Sequence, residues 1–220
     1  MPAPILYYIS DRHAFPGNEG SQNEQLLRKI GEAARAGVDY IQLRERDLTT
    51  HNLEALALNV RDRIDRSKAD GPGPRVNFLI SSRTDVALAT GADGVHLPAD
   101  NLNPMEIIRH LWKQCRANEP GTVTISVSCH SLEEVARAEA SGADLAIFAP
   151  VFEKKDAPET TPTGLNALRQ ACQYKIPVIA LGGITLENAS ACLEAGAAGI
   201  AGIRLFQEHN IQEIVAHFHR

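Results

Sequence analysis

The stretch YIQLRERD, residues 40–47, opens as an apolar run and closes on Arg44, Glu45, Arg46 and Asp47. Side chains alternate along a strand, so Gln42, Arg44 and Arg46 share one side while Leu43 and Glu45 take the other. Two guanidinium forks and an amide on one side suit a small anionic ligand, and we take Gln42, Arg44, Arg46 and the nearby hydroxyls Ser81 and Ser131 as substrate-binding candidates. An Arg–Glu ion-pair network closing the end of a sheet is the competing reading. A second anion signal lies in LGGIT, residues 181–185, where Gly182 and Gly183 separate an apolar run from a helical one. Backbone N–H groups at such a helix start can cradle a phosphate. GIAGIRL, residues 199–205, supplies Gly202, Ile203 and Arg204 as its counterpart. Glycines serving only tight turns are the plainer alternative; the reading adopted is a phosphorylated small molecule. In CHSLEE, His130 directly follows an apolar run. An imidazole there can move protons near neutrality without a metal, whereas a structural role is the default for a lone histidine. His96, within an apolar run, reads as a core or lining residue, and the remaining histidines show no metal-ligand spacing.

These residues need a frame that brings their ends together. One phrase recurs: RAGVDYIQL (35–43), ATGADGVHL (89–97), ASGADLAIF (140–148) and EAGAAGIAGI (194–203). Each reads as a helix end, a glycine able to take the left-handed cap, a short turn and an apolar strand. Four more apolar runs, ILYYI (5–9), VNFLI (76–80), VTISV (123–127) and PVIAL (177–181), complete eight strands alternating with helices. Eight such units in 220 residues predict an α/β fold, a single-domain (β/α)8 TIM barrel over residues 1–220. A doubly wound sheet would want GxGxxG after its first strand, and SDRHAFPG stands there instead. In a barrel the carboxyl ends of the strands form the active face, which is where all the candidates above fall.

Composition narrows the partners. A formal charge of −5 with no basic stripe argues against nucleic acid. Four scattered cysteines without CxxC spacing, and an N-terminus lacking a basic, apolar leader, predict a reduced cytoplasmic protein with no membrane span. Apolar outer helices permit a homodimer. The Pro-, Thr- and charge-rich segment 153–164, with Lys154 and Lys155, has the composition and place of a candidate lid, and the sequence does not tell whether it closes over ligand.

QLRER, GADGVHL, HSLEEVARAEASGAD, the following PVF and IALGGIT, in that order, resemble the thiamine phosphate synthase superfamily, which also contains thiazole tautomerases; the resemblance runs from about residue 5 to residue 208. A synthase of this kind joins hydroxymethylpyrimidine diphosphate to a thiazole phosphate and generally uses Mg²⁺ held by carboxylates to stabilise departing pyrophosphate. Here Ser81-Ser82 stands where the family pattern has Asn-Asp, Arg46 replaces a lysine, and the acidic position after strand four is shifted to Asp100. The resemblance therefore implies first a thiazole tautomerase, aromatising a thiazole phosphate carboxylate with His130 as acid/base and no cofactor. The alternative is a divergent Mg²⁺-dependent synthase using Asp100 with Asp85 or Asp156 and, from the strand-six loop, Thr160, Thr161 and Lys155. A third reading, from another class, is a barrel that binds a thiamine-related phosphate without turning it over.

Overall fold

The computed structural model describes residues 3–67, 75–100, 105–116, 122–153 and 159–219. Eight strands close into a parallel barrel in sequence order: β1 (Ile5–Ile9), β2 (Tyr40–Leu43), β3 (Asn77–Ser81), β4 (Gly94–Leu97), β5 (Thr124–Cys129), β6 (Leu145–Phe148), β7 (Val178–Ala180) and β8 (Gly199–Gly202), with β8 returning to β1. The intervening helices are α1 (Glu19–Ala36), α2 (Thr50–Ser67), α3 (Thr84–Ala89), α4 (Met105–Cys115), α5 (Leu132–Ala140), α6 (Gly164–Ala171) and α7 (Ala189–Glu194). After β8 come one turn of helix, α8 (Arg204–Gln207), and a terminal α9 (Ile211–Phe218). The expected eightfold alternation is thus observed, with strand ends displaced by a residue or two.

The recurring phrase works as read. Gly37, Gly91, Gly142 and Gly196 all carry positive φ, between 69° and 105°, and turn the chain from helix to strand. Its aspartates do more than mark a turn. Asp39, Asp93 and Asp144 each accept the backbone N–H of the preceding strand, from Leu6, Phe78 and Ile125 at 2.8, 2.9 and 2.7 Å. These carboxylates satisfy donors at the amino-terminal rim, opposite the active face, and tie the strands in pairs.

Two apolar regions follow from the alternation of side chains. Between barrel and helices lies the larger, containing Leu6, Phe78, Ile80, Val95, Val127 and Phe148. Inside the barrel, Tyr7, Ile9, Leu145, Ile147, Ile179 and Ala201 pack together. That inner cluster comes from β6, β7, β8 and β1. Gln42, Ser81, His96, Ser126 and Ser128 come from β2 to β5 and form a polar interior half, so the lumen is sided. No helix among the described residues is long and apolar enough to cross a membrane.

Candidate functional site

At the end of β2 the alternation holds, and both sequence readings are partly realised by different residues. Glu45 is buried and turned toward the end of β1, where it accepts from Ser10 Oγ at 2.6 Å and from Arg12 Nη1 at 3.1 Å. Arg12 also donates to both carboxylate oxygens of Asp47. An ion-pair network therefore does close this part of the barrel, built on Arg12 rather than on Arg44 and Arg46. Burial raises the pKa of Glu45, against the bonds from Ser10 and Arg12, while the Arg12 guanidinium holds Asp47 far below the ordinary carboxylate range.

With the acidic partners taken, neither the Arg44 nor the Arg46 guanidinium makes a hydrogen bond or ion pair among the described residues. Arg44 is half-buried, and its proton affinity is lowered by burial and then by Arg46. Both also act on buried His96, whose pKa falls to about 3 through burial and through these two charges. Two cations and a neutral imidazole thus share one region of the mouth.

Below them runs a chain of hydrogen bonds. Gln42 Nε2 reaches Ser81 Oγ at 3.3 Å, Tyr7 Oη donates to Gln42 Oε1 at 3.0 Å, and Tyr7 Oη meets Ser126 Oγ at 3.0 Å across the lumen. His96 Nδ1 meets Ser126 Oγ and its Nε2 meets Ser128 Oγ, both at 2.9 Å. Gln42 and Ser81, named from sequence, belong to this chain. Tyr7 and Ser126 were not among the sequence candidates; alternation along β5 was the available signal, since it sends Ser126 to the same side as Ser128 at the strand's end.

His130 stands at the exposed rim after β5. Its Nδ1 lies 2.7 Å from the Ala149 carbonyl, so Nδ1 carries the proton and donates; Nε2 makes no hydrogen bond among the described residues. Its backbone N–H donates to Glu134. Ser131 differs from expectation: its hydroxyl caps α5 by accepting the Glu134 N–H at 3.3 Å, the standard use of a serine before a helix.

The glycine loops flank a cavity of about 400 Å³ that includes Gly183, Thr185, Arg204 and His209, together with the acidic Glu187 and Glu208. That volume suits a small ligand. No helix starts at Gly183, contrary to expectation: α7 begins only at Ala189, several residues further on, and is too short to supply much dipole. Gly182 and Gly183 have a packing reason to be glycine: φ is +99° and +64°, and an added Cβ would lie 2.6 Å from Pro150 Cα and 2.4 Å from the Glu153 carbonyl oxygen, respectively. Gly202 ends β8, and Ile203 and Arg204 lead into α8 beside the same cavity.

The carboxylates among the described residues do not gather into a site for Mg²⁺. Asp85 is engaged by Arg83 at 2.6 and 2.9 Å, Asp100 is exposed, and no three of His, Cys, Asp or Glu come together among the described residues. Asp156, Lys154 and Lys155 lie outside the described residues, as does the 154–158 part of the candidate lid segment.

A family model described as thiamine monophosphate synthase matches residues 6–206. A putative thiamine-phosphate synthase 2 of Aquifex aeolicus is 39% identical over 209 residues, covering 94% of this chain and all of that protein. A thiamine-phosphate synthase of Chlorobium luteolum is 36% identical, covering 91% of this chain and 84% of the relative. Among solved structures, a thiamine phosphate pyrophosphorylase of Pyrococcus furiosus superposes with a TM-score of 0.74 at 30% identity, covering 98% of this chain and 93% of that one.

Proposed function

The chain belongs to the thiamine monophosphate synthase family, and from that membership we propose that it catalyses the coupling step of thiamine biosynthesis, joining a pyrimidine diphosphate to a thiazole phosphate. The relatives' names support this synthase reading over the tautomerase, which the sequence alone placed first. In the reaction the bond from the pyrimidine methylene carbon to the diphosphate oxygen breaks, the thiazole nitrogen bonds that carbon, and pyrophosphate departs. The observation that carries the reading is the Arg44–Arg46 pair at the mouth, left without protein partners among the described residues by the capture of Glu45 and Asp47 on Arg12. Two guanidinium forks supply charge-assisted bonds to a leaving group that gains negative charge as it departs. The thiazole phosphate takes the cavity between Gly183 and Arg204. The apolar half of the lumen, Ile9, Ile147 and Ile179, lies beneath the rings and limits water.

Two observations favour tautomerisation as a second reading: Ser81-Ser82 at the position of Asn-Asp, and the open Nε2 of His130 at the rim. One experiment separates them. The purified protein is given pyrimidine diphosphate with thiazole phosphate, and separately the thiazole tautomer, each with and without Mg²⁺, and products are separated by chromatography. Thiamine phosphate with stoichiometric pyrophosphate is expected; conversion of the tautomer alone would reverse the assignment.

A further inference from the structure

On the outer wall of the barrel, α1 and α2 pack together and line a groove of about 460 Å³. Helical spacing brings Arg28, Glu32 and Arg35 to one stripe of α1, and Arg63 joins them from α2. Gly31 lies in the same stripe, where a glycine inside a helix is unfavourable. Its missing side chain lets the Arg35 guanidinium lie along the helix, with Nη1 3.4 Å from where a Cβ would stand. Lys29 is a fourth cation, and Glu32 is the one carboxylate of the lining among the described residues. Both oxygens of Glu32 are committed, Oε2 to Lys29 Nζ at 3.0 Å and Oε1 to the Ile211 N–H at 2.9 Å. Arg28, Arg35 and Arg63 are exposed, and none of their guanidiniums holds a protein partner among the described residues. On a chain of formal charge −5, this groove reverses the sign of the surface locally.

The same stripe is fastened to the active face. Lys29 Nζ donates to the His209 carbonyl at 2.9 Å, so Lys29 and Glu32 together hold the turn 209–211, and His209 lines the cavity beside Gly183 and Arg204. Half-buried Phe15 and Leu27 add apolar surface to the groove. We propose that the groove is an effector site for a small oligophosphate carrying a ring, the chemistry of a nucleoside diphosphate, and that its occupation weakens phosphate binding in the cavity beyond the 209–211 turn. Three guanidinium forks suit two linked phosphates, guanidinium planes and Phe15 suit a ring, and the volume suits one such molecule. A nucleic acid or an anionic membrane would meet the repulsion of the acidic whole, whereas a small ligand meets only the local cations. The link between the sites is an exchange of partners. Bound phosphates draw Lys29 from Glu32 and from the His209 carbonyl, and the turn that carries His209 loses that tie. Occupation of the groove is independent of the coupling reaction proposed above; the choice of thiazole phosphate as the ligand it weakens rests on that reading.

Calorimetric titration with ADP as the probe tests occupation. Arg28→Ala, Arg35→Ala and Arg63→Ala should each lower ADP affinity by roughly 10-fold, the worth of a charge-assisted hydrogen bond, with urea stability unchanged because the side chains are exposed and unpartnered. Equal ADP affinity in all three variants would overturn the site. In a protein carrying Arg44→Ala and Arg46→Ala, ADP should still bind, and about 5-fold more tightly than pyrophosphate through contact with Phe15. Loss of ADP binding there would move it to the mouth and overturn the site, and equal affinities of the two probes would overturn recognition of a ring. The effect on the active face is read from thiazole phosphate affinity at rising ADP. It should weaken and then level off at about 5-fold, and in Lys29→Met, which has no ammonium to exchange, it should not respond. Weakening that grows without limit is competition for one site and would overturn the effector role, as would no response in the natural protein. Failure of thiazole phosphate to bind at any ADP concentration, with ADP still following the groove arginines, would overturn the coupling reaction and the effector role together and leave the anion site standing.

Discussion

Arg12 Nη1 stands 3.1 Å from Glu45 Oε2, with side-chain exposures of only 4% and 1%. The pair joins the end of β1 to the end of β2 and turns Glu45 away from the arginines that flank it in sequence. Its consequence for function is indirect: a cation drawn from 33 positions earlier takes the carboxylates, and Arg44 and Arg46 stay available to ligand.

Breaking that pair should be costly. Glu45→Gln leaves Arg12 buried with only the half-exposed Asp47 to compensate it, and losing one partner of a buried pair typically costs about 3 kcal/mol or more. Urea denaturation should show a loss of that size. A change below about 1 kcal/mol would mean that Arg12 relaxes outward to water.

Arg44→Ala and Arg46→Ala should leave stability nearly unchanged, since neither guanidinium holds a protein partner among the described residues. Each should weaken pyrophosphate binding by roughly 10-fold or more, the worth of a charge-assisted hydrogen bond, and should flatten its salt dependence. Calorimetric titration of pyrophosphate decides it; unchanged affinity in both variants would remove the arginines from the site.

Much of the barrel was legible because its signals are local. The glycine of each GAD-type phrase needs positive φ and the apolar run after it needs burial, and both are visible within nine residues. Arg44 and Arg46 were legible by alternation. Arg12 as the partner of Glu45 was not, because the nearest arginines in sequence were the obvious candidates and only strand pairing brings Ser10 and Arg12 beside Glu45. The chain through Tyr7 and Ser126 was hidden for a similar reason: it crosses the lumen between β1 and β5, and closure of a barrel has no signature at either residue. Gly182 and Gly183 were read as a phosphate cradle, whereas their closest constraint is the backbone of Pro150 and Glu153, a contact formed only in the folded barrel.

The aspartate of the repeated phrase carries its own test. Asp93→Ala strips the acceptor from the Phe78 N–H at 2.9 Å and leaves Arg61, 3.1 Å away, without its carboxylate. A buried amide left unpaired costs about 1–3 kcal/mol, so a fall of that size is expected in the denaturation midpoint analysis, with activity per folded molecule unaltered because Asp93 sits at the rim opposite the mouth. A loss of activity without a loss of stability would contradict this placement.

Stability should fall with acidity for a reason traceable to His96. Its folded pKa, depressed to about 3, lies below the ordinary value near 6.5, so between these pH values the unfolded chain binds a proton that the native state refuses. The contribution is complete above about pH 6.5 and is lost progressively as pH falls toward 3, with a slope approaching 1.4 kcal/mol per pH unit. Comparing urea stabilities at pH 7.5 and 5 should show His96→Gln losing less than the natural protein. Equal losses would mean that water reaches His96.

The remaining prediction separates the two chemistries at His130. Its Nδ1–H donates to the Ala149 carbonyl and its backbone N–H to Glu134, so the ring is fastened at the rim with Nε2 making no hydrogen bond among the described residues. His130→Asn removes that basic nitrogen while leaving an amide that can still donate. Coupling driven by departure of pyrophosphate makes no demand on a base at this place, so turnover should fall less than about 10-fold. Tautomerisation through Nε2 would instead lose roughly 10² to 10⁴-fold, the usual contribution of a positioned acid/base. Steady-state rates for coupling and tautomer conversion, measured on the same preparation, give the answer: a loss of that larger size confined to the tautomer would assign His130 a proton-transfer role and make tautomerisation the reaction that this barrel is built for.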